Sequence, residues 1–385
     1  MPMSSPFDQF VAEIHAASTR IVLAVTGGGS GAISRLLEVP GASRTVLEAA
    51  VPYAPASLAM WLGSRPDQAC SARTARAMAM AAFRRATIYH DDPLDVAGIG
   101  CTASLATDRP KRGAHRVHVA LQTSSLTATH SLQLTKGRRS RAEEEDLVDR
   151  LVLTLVAEAC GLMRRLPMEL VETERIETSL TVAPPAWRGL LLGQTDMVRH
   201  GIPVDYQGPT TRAVFPGAFN PLHAGHRRMA ELARQLLGQP VEYEMSILNV
   251  DKPPLDYWEM ERRTEQFAVG EVDWLTRTPT FLEKSEVFPG ATFLVGVDTL
   301  RRIADERYYR RDPSARDAAL HTIAARGCHF LVFGRQAEGR FLTLADLELP
   351  EVLRRISRGV PAEEFREDIS STELRQAEET DRTGE

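Results

Sequence analysis

From residue 214 to 226 the chain reads Val-Phe-Pro-Gly-Ala-Phe-Asn-Pro-Leu-His-Ala-Gly-His, which sets two imidazoles, His223 and His226, three residues apart behind a Pro216-Gly217 turn. Residues 213–215 are a short apolar run suited to a buried strand. After His226, Met229, Ala230, Ala233, Leu236 and Leu237 recur at helical spacing. The expected local structure is strand, turn, helix, with both histidines at the helix N-terminus. Unpaired backbone N–H groups and the positive end of the helix dipole favour an anion there, and imidazoles add donors that can follow developing charge. A triphosphate suits such a site. Far along the chain, Ile369-Ser-Ser-Thr-Glu-Leu-Arg375 offers the hydroxyls of Ser370, Ser371 and Thr372 at the start of an expected helix, with a guanidinium one turn on that can bind phosphate oxygens bidentately. Each stretch also has a plain structural reading: histidines in such a turn can bond only to backbone, and Ser370 with Glu373 makes a capping box.

The second half of the chain alternates strand and helix as a parallel α/β sheet does. The strand at 213–215 leads to the histidine loop, 241–248 to Asn249-Val-Asp-Lys252, 292–297 to Asp298, and 329–333 to Gly334-Arg335. Ligands of open parallel sheets bind beyond the carboxyl ends of the strands, so these polar ends should converge on one crevice. The first half opens with an amphipathic helix at 7–17, a strand at 21–25 and the loop Thr26-Gly-Gly-Gly-Ser-Gly31. A helix bearing Ile33, Leu36 and Leu37 follows, then a helix at 74–86, strands at 96–99, 117–122 and 131–134, and a helix at 143–159. Turn signals gather between 166 and 211, including Pro184-Pro185 and Gly208-Pro209. The expected organisation is a domain over 1–161, a linker over 162–211 with room for a short hairpin or helix docked on a neighbour, a second domain over 212–376 and a charged tail over 377–385.

A chain of 385 residues is comfortable for two domains, and 43% hydrophobic with 25% charged residues is ordinary for a globular protein. The formal net charge of -5 gives no basic footprint, which argues against nucleic acid as the main partner. Cys70, Cys101, Cys160 and Cys328 show no C-x-x-C pairing and read as buried thiols in a reducing cytosol, not as a zinc site or a disulfide framework. No apolar run reaches spanning length and no signal peptide is evident, so the expectation is a cytoplasmic protein without a membrane partner.

Taken together, Gly217-x-Phe-Asn-Pro-x-His-x-Gly-His226 and Ile369-Ser-Ser-Thr-x-x-Arg375 resemble the nucleotidylyltransferase superfamily, especially the nicotinamide mononucleotide adenylyltransferases. The resemblance covers about residues 212–376 and implies a Rossmann-like parallel sheet, with ATP and Mg²⁺ as donor and ion. It implies that His223, His226 and Arg375 are the catalytic set. It also implies that Pro216, Gly217, Ala218, Phe219, Asn220, Gly225, Lys252, Ser370, Ser371 and Thr372 hold the nucleotide and its phosphates. Gly296 and Asp298 would meet a ribose and Arg335 a phosphate of the acceptor. The plain alternatives are a solvated loop for Lys252, a helix cap for Asp298 and a surface side chain for Arg335. No Trp follows Asp298 as in the nicotinate mononucleotide enzymes, so the acceptor stays open.

The strand, the Thr26-Gly27-Gly28 turn, the helix and the later Val51-Pro-Tyr53 resemble the C-terminal domain of the CinA family, an α/β nicotinamide mononucleotide deamidase fold, over about residues 7–161. Where that family carries a catalytic Ser this chain has Ala24, and where a Lys is expected it has Leu58, so hydrolysis by the family mechanism is not expected. Thr26, Gly27, Gly28 and Tyr53 are the candidate pocket residues that remain. The alternative is an assembly module without a ligand, through which the protein would form a homo-oligomer.

The leading expectation is transfer of AMP from ATP to a small phosphorylated acceptor resembling nicotinamide mononucleotide. The competing ones are cytidylyl or adenylyl transfer to another phosphorylated metabolite, and a nucleotide-binding regulator or scaffold with little turnover.

Overall fold

The computed structural model describes residues 6–109, 111–201, 212–250, 252–337 and 340–365. The chain forms two compact units, one of Met1–Leu192 with Asp251–Glu261, the other of Gly193–Val250 with Arg262–Glu385.

The first unit runs α1 (Pro6–Ala16), β1 (Arg20–Thr26), α2 (Ser30–Glu38), β2 (Val46–Ala50), α3 (Pro55–Leu62), α4 (Ala72–Tyr89), β3 (Val96–Ser104), β4 (His115–Thr123), β5 (Leu126–Leu134), α5 (Arg141–Ala159), β6 (Ile176–Val182) and α6 (Pro185–Leu192). Its sheet has the order β2-β1-β3-β4-β5-β6; β1 lies parallel to β2 and β3, and the rest pair antiparallel. One face buries a large apolar core shared with α1, α2 and α5, including Phe10, Leu36, Leu151 and Leu155. On the other face Ala75 and Ala79 of α4 pack on Ala120.

The stretch 162–211, expected as a linker, supplies β6 and α6 to this unit. Ile176-Glu-Thr-Ser-Leu-Thr-Val182 is an edge strand whose residues are mostly exposed or half-exposed, so it carries too little apolar signal to read as a strand. Residues 252–261, expected within the second domain, also pack in this unit. Tyr257 is fully buried, donating its hydroxyl to the Ser124 carbonyl at 2.7 Å and its N–H to Thr127 Oγ1 at 3.0 Å. The buried Arg76 donates to Asp256 at 3.1 Å and lies 4.0 Å over the Trp258 ring.

The second unit continues with β7 (Met197–His200), β8 (Ala213–Pro216), α7 (Ala224–Leu237), β9 (Val241–Ser246), the last turn of α8 (Tyr257–Thr264), β10 (Asp273–Thr276), α9 (Phe281–Val287), β11 (Thr292–Gly296), α10 (Val297–Ala304), α11 (Pro313–Ala325), β12 (His329–Phe333), the hairpin β13 (Arg335–Ala337) and β14 (Arg340–Leu342), α12 (Glu351–Arg355) and β15 (Ser357–Gly359). Its seven-stranded sheet has the order β15-β12-β11-β8-β9-β10-β7, parallel except for β7. Chain order reverses between β8 and β11: one half winds out through β9 and β10, the other through β12 and β15. That reversal is where an open doubly wound sheet leaves a crevice beyond its carboxyl ends.

Both units are α/β, as expected, the sheet of the first mixed and that of the second parallel except for β7. Among the described residues no helix is long and apolar enough to cross a membrane.

Candidate functional site

The carboxyl end of β8 opens the crevice of the second unit. Phe219 sits there at φ 43° and is fully buried. Left-handed backbone in a bulky residue costs on the order of 1–3 kcal/mol. The ring's surroundings offset that cost. It meets Phe215 at 5.4 Å, His226 at 5.2 Å, Tyr243 at 5.4 Å and Phe267 at 5.6 Å, all near edge-on. Gly217 is needed for the same reason, since a Cβ there would stand 2.6 Å from the Phe219 ring. The Asn220–Pro221 peptide is cis.

His223 is the N-cap of α7, and its ring stacks on that of His226 with centroids 3.7 Å apart. The spacing expected from sequence therefore brings the two imidazoles together at a helix N-terminus. His226 Nδ1 accepts the His223 backbone N–H at 3.3 Å, which leaves Nε2 to carry the proton of the neutral ring. Burial first, and the neighbouring His223 second, lower the His226 pKa to about 4. At neutral pH His226 is an uncharged donor set beside the positive end of α7.

Three side chains with no motif of their own in the sequence hold this loop. Arg263 donates to the Ala218 carbonyl at 3.0 Å, and Arg262 donates to the Asn220 side-chain oxygen. Gln266 grips both sides, donating to the Phe219 carbonyl at 2.9 Å and accepting the Leu222 N–H at 2.8 Å. Under the turn, the Glu244 carbonyl accepts the Gly217 N–H at 2.9 Å. The Glu244 carboxylate is fully buried, and both its oxygens accept from Lys284 Nζ, at 2.6 and 2.7 Å. Thr276 donates to it at 2.5 Å. A paired, hydrogen-bonded ion of this kind fixes β9, β10 and α9 behind the histidine loop.

Beyond β11 and β12 the structure brings together Asp298, in the first turn of α10, and Arg335, at the start of β13, as a half-exposed ion pair. Gly296 is the N-cap of α10, and a Cβ there would meet nothing within 4 Å, so the surface above it is open. Lys252 is exposed and falls in the segment counted with the first unit. Ser370, Ser371, Thr372 and Arg375 lie outside the described residues. Among the described residues no three His, Cys, Asp or Glu side chains cluster to hold a metal ion.

In the first unit Thr26, Gly27, Gly28 and Tyr53 do line one pocket, but its volume is about 50 Å³, far below the few hundred Å³ that a mononucleotide needs. Carboxylates of α5 and a backbone carbonyl take several of the donors in and beside it. Glu145 of α5 accepts the Gly29 N–H at 2.7 Å, Asp149 accepts the Ala32 N–H at 2.9 Å, and Thr26 donates to the Pro52 carbonyl at 3.0 Å. Gly27 has φ 76°, and a Cβ on it would sit 1.9 Å from the Ala103 carbonyl oxygen, so this glycine serves close packing. Ala24 and Leu58 pack with Leu62 and Met78 in an apolar cluster, which provides no nucleophile.

Residues 214–377 match the family model described as cytidylyltransferase-like. This part of the chain is a nucleotidyltransferase-superfamily domain. The nucleotidyltransferase domain thus contains the histidine loop, the Asp298–Arg335 pair and the loop clamp just described. No curated protein matches the chain. Three solved structures are similar to its N-terminal part. They are the competence/damage-inducible protein CihA from Agrobacterium tumefaciens (18% identity, 41% of this chain and 98% of that one, TM-score 0.34), a competence-damaged protein (CinA) superfamily protein from Escherichia coli (14%, 41% and 92%, TM-score 0.33), and a competence or damage-inducible protein from Enterobacter asburiae (16%, 41% and 98%, TM-score 0.32).

Proposed function

We propose that the nucleotidyltransferase domain transfers AMP from ATP to the phosphate of a mononucleotide resembling nicotinamide mononucleotide, releasing pyrophosphate. Nucleotidyl transfer as a class rests on the family match. The observation that carries the finer reading is the stacked His223–His226 pair at the N-terminus of α7, beside the β8/β11 reversal. An acceptor phosphate oxygen attacks the α-phosphorus, the bond to the bridging oxygen of the β-phosphate breaks, and pyrophosphate leaves. No covalent enzyme intermediate is involved, so alignment and charge stabilisation are what the protein must supply.

In this reading neutral His226 donates from Nε2 to a phosphate oxygen as charge builds there, and His223 shares the load. Gln266, Arg263 and Arg262 keep the loop from moving as that charge develops. Ser370, Ser371, Thr372 and Arg375 would take the distal phosphates, and Asp298 with Arg335 would face the acceptor. Imidazole and N–H donors suit phosphate oxygens and not Mg²⁺, so the ion belongs to the triphosphate as it enters, where it neutralises phosphate charge. The family description favours a second donor, CTP, at the same phosphate subsite.

The test is pyrophosphate release by the full chain with Mg²⁺ and either ATP or CTP, in the presence of nicotinamide mononucleotide, nicotinate mononucleotide or no acceptor, with products identified by mass spectrometry. Acceptor-dependent dinucleotide supports the proposal. ATP binding without pyrophosphate release would replace it with the regulatory reading.

A further inference from the structure

We infer that the first unit carries a separate anion site, built for a compact oligophosphate, on the open end of its β4–β5–β6 face. The sheet register sets Arg116 opposite Gln133, His118 opposite Ser131, and Ser131 opposite Glu177, so these side chains share one face at one end of three strands. Further along β4, Ala120 is covered by α4. The uncovered rows form the floor of a trough of about 760 Å³, with Arg112, Lys136 and Arg175 on its walls. That volume is within the usual range of small-molecule sites.

The charge balance points to the ligand. Arg112, Arg116, Lys136 and Arg175 face one carboxylate, Glu177. Among the described residues none of these four cations is ion-paired, whereas neighbouring Arg139 is held by Glu174 at 2.8 Å. Arg116 Nε is buried without a hydrogen-bond partner, so this guanidinium lies in the trough lining with its Nε unspent on the fold. Lys136 is steered by the carbonyls of Lys111 and Arg112, at 3.0 and 2.8 Å, and Arg175 by those of Glu172 and Glu174, at 2.6 and 2.7 Å. His118 is tied to Ser131 at 2.8 Å, and burial, then Arg116 and Arg76, push its pKa down to about 4, so it adds a neutral polar group. No Phe, Tyr or Trp lines the trough, and its one imidazole, His118, is tied to Ser131, so the lining offers a base little to stack on beside its cations. Recognition therefore falls on closely spaced phosphates. With a chain charge of -5, the positive field is local to this site.

The experiment titrates sodium tripolyphosphate, by calorimetry at low ionic strength, into the full chain carrying His226→Ala, which weakens any contribution from the second unit. One saturable site is expected. Adding Arg112→Ala with Lys136→Ala, both exposed, should weaken it at least tenfold with an unchanged melting temperature, and Arg116→Gln should do so independently. ATP binding as tightly as tripolyphosphate, with AMP much weaker, would identify the tail of a nucleotide as the source. Tripolyphosphate binding without ATP binding would identify an inorganic one. Unchanged affinity in the double variant, no heat in the His226→Ala background, or tighter binding of a single-stranded oligonucleotide that tripolyphosphate cannot displace would overturn the assignment.

Discussion

Two turns in this chain lead a parallel strand into a helix, and they answer the same physical problem in opposite ways. At residues 26–31 the glycine-rich turn looks built for phosphate, yet Glu145 and Asp149 reach across from α5 and accept the N–H groups of Gly29 and of Ala32 just beyond it. At residues 216–226 only part of the loop is backbone-braced, and the group placed at the helix start is a pair of stacked imidazoles. A carboxylate in the first turn repels an incoming phosphate, whereas a neutral imidazole in the second can donate to one. Glycine count does not separate the two; what the rest of the chain supplies to the N–H groups does.

The strongest way to break this contrast is His226→Ala. Pyrophosphate release should fall about 10²–10³-fold, as when one preorganised donor to a developing charge is removed, while the urea transition stays cooperative. Undiminished turnover would make the second turn as structural as the first. Next in size, Asp149→Ala leaves the Ala32 N–H without its acceptor and should cost about 1–3 kcal/mol in urea unfolding, while turnover per folded molecule stays the same. A loss of turnover in that variant would give the first turn a role in the chemistry.

Gln266→Ala sharpens the comparison by loosening the second turn without touching its histidines. A fall in kcat of about tenfold with KM nearly constant is expected, because misplacement by a fraction of an ångström weakens the transition state first. The smallest effect is in pH dependence, and it has opposite signs in the two turns. His226, lowered from 6.5 to about 4, contributes stability that is complete above pH 6.5 and is lost as pH falls toward 4. Asp149, raised by burial from 3.8 to about 6, contributes stability that is complete below pH 3.8 and is lost as pH rises through 6. The unfolding free energy between pH 4 and 7 should therefore lose pH slopes of opposite sign in His226→Gln and Asp149→Asn. The same slope change in both variants would refute the pairing.

Much of this was legible from residue spacing, and the rest was not for physical reasons. Apolar runs and helical stripes gave β8, α7, β11 and β12 within a residue or two, because those elements bury one face. The clamp was hidden, since Glu259-Met-Glu-Arg-Arg263 reads as a solvated helix surface, and nothing in it says that Arg263 and Gln266 bend back to residues 218–222. Glu244 was hidden in another way. A charge in mid-strand normally faces water, and its partner Lys284 is 40 positions on, a separation that only the folded sheet closes. β10 escaped because Asp273 and Thr276 are buried polar residues satisfied by His200 and Glu244. The acidic plug of the first turn comes from 116 and 117 residues away, beyond any local pattern.

The return of residues 252–261 to the first unit has a consequence for how such a chain can be cut or inherited. The polypeptide changes unit three times, after Leu192, Val250 and Glu261, so no single breakpoint yields two complete halves. A fragment ending near residue 192 would strand Arg76 without Asp256 or the Trp258 ring, and a fragment starting near residue 212 would carry Tyr257 with no place for its phenol. For deletion and recombination, a cut at any single point is therefore expected to cost the first unit part of its packing.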